Sequence, residues 1–133
     1  MRVVVHVDGG ARGNPGPAAA AAVVSDAEGT VLDEATRRLG VASNNVAEYQ
    51  AVLLGVERAR SLGATEVALV NDSELVARQL TGRYRVKHPA MRPLHLEAIA
   101  ALRELDGWSI RTVPRAQNAH ADALVNRALD SSD

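Results

Sequence analysis

The sequence predicts an α/β protein in which helices pack on a five-stranded mixed sheet, in the order β-β-β-α-β-α-α-β-α. Two apolar segments flank the turn at residues 26–29, which is typical of an antiparallel hairpin. Further along, short apolar segments alternate with helical patterns, which indicates parallel strands covered by helices. The 133 residues are 47% hydrophobic and contain no repeat or linker. We therefore expect one domain over residues 1–130 and a tail over 131–133.

Five short apolar segments bounded by turn residues predict the strands. The first covers residues 3–8 and is stopped by Gly9 and Gly10, ahead of a loop rich in glycine and proline. The two hairpin strands cover residues 18–25 and 30–38. The last two strands are predicted at residues 66–71 and 109–113.

Four helices are predicted from residues that commonly start or stop helices. The first covers residues 46–62, with Asn45 placed to cap it and Gly63 to end it. The others cover residues 73–80, 89–105 and 119–129, and Gly107 ends the third.

Composition excludes several kinds of site. The absence of cysteine excludes disulfides and thiolate metal sites, and 2% aromatic residues argue against base stacking on aromatic platforms. The longest apolar run, residues 17–24, is too short to cross a bilayer, and the N-terminus does not resemble a signal peptide. We expect a cytoplasmic protein with no membrane partner.

The net charge of −1 hides a cluster of basic residues between 78 and 92. If that segment is extended, Arg83, Arg85 and Lys87 alternate onto one face, where they could hold the phosphates of a DNA backbone. The alternative is a solvated charged loop.

Two aspartates, Asp8 and Asp72, lie at the carboxyl ends of apolar strands. Ligands bind at that edge in open α/β sheets, so adjacent parallel strands would point both carboxylates into one crevice. Each aspartate also has a structural explanation: Asp8 as a turn former before Gly9, and Asp72 as the N-cap of the helix at Ser73.

Two further acids lie near helix starts. Glu48 stands three residues after Asn45, where it could complete a capping box, and Asp122 lies in the first turn of the last helix, where an acid favours the helix dipole. The occurrence of all four acids together, each beside unusual local sequence, favours a shared site over four separate structural roles.

Four motifs in order resemble the type 1 ribonuclease H family along the whole chain. They are DGGARGNPG at residues 8–16, SNNVAEY at 43–49, DSELV at 72–76 and VPRAQNAHADAL at 113–124. The resemblance implies the ribonuclease H-like fold. It also implies a metal-dependent endonuclease that hydrolyses the RNA strand of an RNA/DNA hybrid and leaves 5′-phosphate and 3′-hydroxyl ends.

In such a site the four acids would hold two Mg²⁺ ions, with Mn²⁺ as a substitute. By resemblance Asp8 bridges both ions, Glu48 and Asp72 bind one, and Asp122 binds the other. Two like charges about 4 Å apart repel by on the order of 4 kcal/mol at an effective dielectric constant of about 20. Divalent cations remove that repulsion, and Mg²⁺ prefers oxygen ligands.

The resemblance also implies substrate contacts. The loop containing Gly9, Gly10 and Asn14 would approach the RNA sugar, while Asn44 and Asn45, beside Ser43, would contact the minor groove. The partner is thus an RNA/DNA hybrid bound by a monomer, with no small-molecule organic cofactor.

The chain departs from the family pattern at four places. Ser43 stands where threonine is usual, and Glu74 adds an acid beside Asp72. The mobile-loop histidine is missing, which leaves Arg115 as the nearest candidate, and no basic protrusion is inserted between the central helices. Residues 83–88 would partly replace that protrusion and give weaker, strongly salt-sensitive hybrid binding.

Five other residues are expected to have structural roles. We expect His120 to face solvent and His6 to be a packed core histidine, although His6 shares a strand face with Asp8. Packing roles are also expected of three aromatic residues, Tyr49, Tyr84 and Trp108, with contact to substrate as the alternative for Tyr84.

Three alternative functions remain open from sequence. The first is a hybrid-binding module without turnover, which Glu74 and the missing loop histidine leave room for. The second is a 3′–5′ exonuclease of the same superfold, although those usually begin with Asp-x-Glu on the first strand. The third is a nucleotide-binding protein, which the lack of a P-loop or G-x-G-x-x-G signature disfavours.

Overall fold

The computed structural model describes residues 1–131, which form one mixed five-stranded sheet in the spatial order β3-β2-β1-β4-β5. Strands β1, β2 and β3 pair antiparallel, while β4 is parallel to both β1 and β5. The predicted fold class and element order are therefore confirmed. The strand bounds are β1 Arg2–Ala11, β2 Gly16–Ser25, β3 Val31–Ala42, β4 Glu66–Asn71 and β5 Gly107–Thr112.

Four α-helices and one short 3₁₀ turn connect and cover the strands. Their bounds are α1 Asn44–Ser61, α2 Glu74–Leu80, α3 Arg92–Arg103, the 3₁₀ turn Arg115–Asn118 and α4 Ala119–Asp130. Among the described residues, no helix combines the length and apolar character that crossing a membrane would need. Of the predicted tail, Ser131 follows α4, and residues 132–133 lie outside the described part of the chain.

The first strand is longer than predicted, because it continues through Gly9 and Gly10. Its pairing with β2 is unbroken up to Ala11, which lies opposite Ala18. Paired glycines usually weaken a strand, yet here the absence of a side chain is required. A Cβ on Gly9 would lie 2.2 Å from the carbonyl carbon of Ala47 in α1.

Serines, not the predicted residues, cap the first two helices. Ser43 accepts a hydrogen bond from the Val46 amide at 3.2 Å, so Asn45 is not the N-cap and Glu48 does not belong to a capping box. Ser73 similarly accepts from Val76, which shows that Asp72 is not the cap of α2. Both corrections remove a structural explanation for a candidate acid.

The ends of the helices follow local backbone chemistry. Gly63 has a φ of 88° directly after the C-cap of α1, as the sequence predicted. The third helix begins three residues later than predicted, near Pro93, and ends before Gly107. Gly107 itself is not the helix terminator but the first residue of β5.

Helices cover the sheet on both faces. Alternate residues of β1, Val3, Val5 and Val7, are fully buried in the main core together with residues of α1 and α3. The opposite face of β2 packs against α4 through a second cluster: Ala19, Ala21, Val23, Ala121, Leu124, Val125 and Ala128. Small side chains on β2 allow both layers to approach the sheet closely.

Candidate active site

Asp8 and Asp72 meet at one edge of the sheet, as their positions in sequence predicted. Strands β1 and β4 are parallel neighbours, and their last pair, His6 with Val70, stands two residues before each aspartate. Both acids therefore lie just beyond the point where the parallel pairing of β1 with β4 ends, at the edge of the sheet where α/β proteins bind ligands.

Glu48 reaches the same edge from the second turn of α1. Its Oε1 accepts a hydrogen bond from the Gly9 amide at 3.3 Å, and its Oε2 is buried with no partner among the described residues. One carboxylate oxygen from each of Asp8, Glu48 and Asp72 lies within 4.8 Å of the other two. These three side chains could hold a metal ion.

Asp122 approaches Asp8 from the first turn of α4, outside that group of three. Its Oδ1 accepts a hydrogen bond from Nη2 of Arg115 at 3.0 Å. The helix is held in place by Asn118, whose Nδ2 donates to the Val7 carbonyl at 2.8 Å. Asn118 was missed from sequence, because its partner lies 111 residues away and no local pattern signals it.

Burial and mutual repulsion perturb the carboxyl groups strongly. Burial, with the charges of Asp72 and Asp122, raises the pKa of Asp8 to about 8. Burial, with the charges of Asp8 and Asp72, raises the pKa of Glu48 to about 9. The pKa of Asp72 is also raised by burial, although a hydrogen bond with Asp8 and the Arg115 charge oppose the shift. Such a cluster favours either protons or bound cations.

The acids open into a cleft of about 540 Å³ on the protein surface. Of the predicted substrate contacts, Gly9, Gly10, Asn44 and Arg115 line it. Three others do not belong to the lining of this cleft: Asn14, Ser43 and Asn45.

Two asparagines connect the loop after β1 to the start of α1. The side-chain Oδ1 of Asn44 accepts a hydrogen bond from the backbone amide of Ala11 at 2.8 Å. The backbone amide of Asn44 donates to Oδ1 of Asn14 at 3.1 Å. These bonds fix the loop against the helix that carries Glu48. One oxygen of each asparagine is therefore engaged within the protein.

Comparison with known proteins assigns the family. A family model described as reverse transcriptase-like matches residues 6–128. Ribonuclease HI of Halobacterium salinarum is 43% identical over 131 residues, which cover 98% of this chain and 66% of that protein. The crystal structure of RNase H1 from the same archaeon matches with a TM-score of 0.97 at 42% identity, covering 99% of this chain and 100% of that chain. The chain belongs to the ribonuclease HI family.

Two further members of the ribonuclease HI group are similar over nearly the whole chain. A bifunctional protein of Mycobacterium tuberculosis is 47% identical over 133 residues, which cover 99% of this chain but 36% of that protein. The chain thus spans about a third of the length of its mycobacterial relatives. LC11-RNase H1, crystallised in complex with an RNA/DNA hybrid, matches with a TM-score of 0.92 at 38% identity, covering 96% of each chain.

The basic segment, residues 83–88, belongs to no helix or strand. It forms an irregular loop in which Arg83, Arg85 and Lys87 are exposed, while Val86 packs against the main core. The alternative of a charged loop exposed to solvent fits the structure, and a contact between these three residues and DNA stays a prediction.

The extra acid that separates this chain from the ribonuclease HI pattern has a local partner. Glu74 forms an ion pair with Arg78 one turn later in α2. The Arg78 guanidinium also lies over the Tyr84 ring, 5.2 Å from its centroid. Tyr84 is 45% exposed, so the predicted packing role is wrong for this tyrosine.

The remaining interpretations are mostly confirmed. Tyr49 is fully buried and Trp108 packs against the core. His120 is half-exposed and contacts Glu34 of β3, so it faces the protein edge and not the cluster of acids. His6 is partly buried, and burial lowers its pKa.

Proposed function

We propose that this chain hydrolyses the RNA strand of RNA/DNA hybrids with two Mg²⁺ ions held by Asp8, Glu48, Asp72 and Asp122. The observation that carries the proposal is the convergence of Asp8, Glu48 and Asp72 at the floor of an open cleft. Membership of the ribonuclease HI family and the hybrid complex of LC11-RNase H1 support the choice of substrate.

The residues fit a cation site on three independent grounds. The buried Oε2 of Glu48 has no partner among the described residues, although a buried polar atom normally has one. The donor atoms are carboxylate oxygens, which Mg²⁺ and Mn²⁺ favour. Burial and mutual repulsion also raise the pKa values of Asp8 and Glu48, and a bound cation would favour their charged forms.

Each acid then has a distinct task. Asp8 lies between Asp72 and Asp122, so its carboxylate would be shared by two ions, with Glu48 and Asp72 completing one set and Asp122 the other. Bound Mg²⁺ would supply positive charge to an attacking water and to the leaving oxygen of the phosphodiester, giving 5′-phosphate and 3′-hydroxyl products.

Substrate contacts follow from the lining of the cleft and from the nearby charges. Gly10, Asn44 and Arg115 line the cleft directly, and we assign them to the RNA strand. Gly9 would act through its backbone in β1 and Asn14 through the loop that follows, with Ser43 and Asn45 at the start of α1. Arg83, Arg85 and Lys87 would contact the DNA backbone. One chain supplies all four acids, and we propose that it acts as a monomer.

The test is cleavage of an end-labelled RNA/DNA hybrid in Mg²⁺ by the wild type and by Asp72→Asn. We expect the wild type to cut only hybridised RNA. The variant should be slower by about a hundredfold or more, the scale for loss of one preorganised electrostatic group. Single-stranded RNA and hybrid without Mg²⁺ serve as substrate controls.

Asp106→Asn is the matched protein control, since Asp106 is an exposed aspartate in the turn before β5. It should cut like the wild type. If the wild type binds the hybrid but cuts nothing in Mg²⁺ or Mn²⁺, the chain is a binding module and the proposal is wrong.

A further inference from the structure

The basic segment is exposed, yet its backbone is held at several points. The amides of Arg83 and Tyr84 both donate to the carbonyl of Arg78, at 2.8 and 3.1 Å. Further along, the Arg92 side chain donates to the Val86 carbonyl at 3.2 Å. The segment therefore presents its charged side chains from a backbone of defined course.

One of these anchors comes from inside the protein. Gln79, near the end of α2, is 5% exposed, and its Nε2 donates to the Arg85 carbonyl at 3.4 Å. Its Oε1 accepts a hydrogen bond from the hydroxyl of Tyr49 at 2.6 Å. Both ends of this buried amide are thus engaged, one by the basic segment and one by α1.

The other hydrogen-bond partner of the Gln79 side chain, Tyr49, lies beside one of the four acids in the sequence. Tyr49 is fully buried and follows Glu48 directly in α1. His95 of α3 packs edge-on against the Tyr49 ring, and its Nε2 lies 3.1 Å from the Gln79 carbonyl oxygen. Gln79 therefore lies where α1, α2, α3 and the basic segment meet.

We propose that Gln79 is a positioning residue for the substrate, which fixes the basic segment relative to the helix that carries Glu48. This inference rests on the proposed function, because it assigns the basic segment to the DNA strand of the hybrid. A nucleic-acid duplex is much stiffer than a protein loop. Its phosphates can therefore contact the basic segment and the acids together only if the segment and the acids keep a fixed separation.

Gln79 should affect the binding of the hybrid and not the cleavage step. Gln79 does not line the cleft and touches no acid, so its loss leaves the geometry of the reacting groups intact. Loss of the amide frees the Arg85 carbonyl and allows the segment to adopt other courses. Hybrid affinity then falls, because ordering the segment becomes part of binding.

The test is steady-state cleavage of the hybrid by Gln79→Met at several NaCl concentrations. Methionine keeps the length of the side chain but removes both hydrogen-bonding groups. We expect KM to rise by about threefold to tenfold, the range for loss of one net hydrogen bond. We expect kcat to change by less than about twofold and the salt dependence of KM to weaken, since fewer phosphates are neutralised.

The same substitution is then made in a background with Arg83→Ala, Arg85→Ala and Lys87→Ala. If Gln79 acts through the segment, the rise in KM disappears in that background. An equal rise there shows a general structural effect and overturns the inference, as does an unchanged KM in folded Gln79→Met.

Tyr49→Phe covers the case in which Gln79→Met does not fold, because it removes a single hydroxyl from the same chain of bonds. It should raise KM in the same direction with kcat retained, and an unchanged KM and salt dependence would overturn the inference. A wild type that neither cuts nor binds the hybrid defeats the proposed function itself. If the wild type cuts the hybrid and folded Gln79→Met has the KM of the wild type, only the positioning role is wrong.

Discussion

The Gly9 amide donates a hydrogen bond to Oε1 of Glu48 at 3.3 Å, at a point where strand and helix touch too closely for any side chain. A Cβ on Gly9 would also lie 2.5 Å from the Glu48 backbone nitrogen. The atoms that this Cβ would meet belong to the backbone of Ala47 and Glu48, which cannot rotate away as a side chain would. Glu48 can therefore take this position only because residue 9 of β1 has no side chain.

Gly9→Ala should separate β1 from α1 and displace Glu48. We expect a loss of about 1–3 kcal/mol in the free energy of unfolding, as for other overpacked sites, together with weaker Mn²⁺ binding. Thermal unfolding and calorimetric Mn²⁺ titration measure the two effects. Gly10→Ala is the control for stability, because its Cβ would meet only a Val125 methyl at 3.7 Å. Equal unfolding temperatures for the two variants would contradict the prediction.

Stability without divalent cations should fall as pH rises from about 4 to about 9. The folded-state pKa of Asp8 is raised from 3.8 to about 8 and that of Glu48 from 4.5 to about 9. The folded protein therefore binds more protons than the unfolded chain in this window, and raising the pH removes that advantage. Unfolding temperatures in a chelator across this range provide the measurement.

Two further measurements test that pH dependence: the stability of Glu48→Gln, and the stability of the wild type with Mg²⁺ added. The variant should lose less stability between pH 4 and pH 9 than the wild type, because one perturbed group is gone. Saturating Mg²⁺ should restore wild-type stability most at the alkaline end. Parallel pH curves for wild type and variant would show that these two acids do not cause the effect.

Arg115→Ala should tighten Mn²⁺ binding while slowing hybrid cleavage. The Arg115 guanidinium donates to Oδ1 of Asp122, and its charge opposes the rise in the pKa of Asp72 that burial causes. Its removal frees a carboxylate and removes a competing positive charge, so calorimetry should show an affinity about threefold higher or more. Arg115→Lys, which keeps the charge, should resemble the wild type. Weaker Mn²⁺ binding in the alanine variant would refute this role.

The exposed charges of the basic segment should set the salt dependence of hybrid binding. Arg83→Ala, Arg85→Ala and Lys87→Ala should each reduce the slope of log affinity against log salt by about 1, if each contacts one phosphate. Fluorescence anisotropy with labelled hybrid gives the slopes. Arg2→Ala is the control, because Arg2 begins β1 at the opposite end from Asp8. Unaltered slopes in all three variants would leave the segment without a role in binding.

The sheet and the acids were predictable because both depend on local signals. Apolar segments bounded by turn residues indicate the strands, and Asp8 and Asp72 follow such segments directly. The parallel pairing of β1 with β4 then brings the two acids together. The family motifs supplied Glu48 and Asp122, whose local patterns alone suggest helix starts.

The errors arose where distant residues decide the local structure. The strand continues through Gly9 because α1 packs there, and nothing near Gly9 in sequence reveals that contact. Asn118 donates to the Val7 carbonyl across 111 residues, and Gln79 accepts from Tyr49 across 30 residues. Between Ser43 and Asn45 the sequence offers two good caps, and the geometry of the chain entering α1 selects the serine.

The alanines of β2 have a consequence for how the protein tolerates change. Ala20 and Ala22 face α1, which carries Glu48, while Ala19 and Ala21 face α4, which carries Asp122. The thickness of this one strand, with a single methyl on either side, thus sets the distance between the two halves of the site. A bulkier residue at Ala21, which pairs with Asp8 in the sheet, would push α4 and its Asp122 away from β2. Substitutions on β2 should therefore be restricted by catalysis and not by the stability of the strand alone.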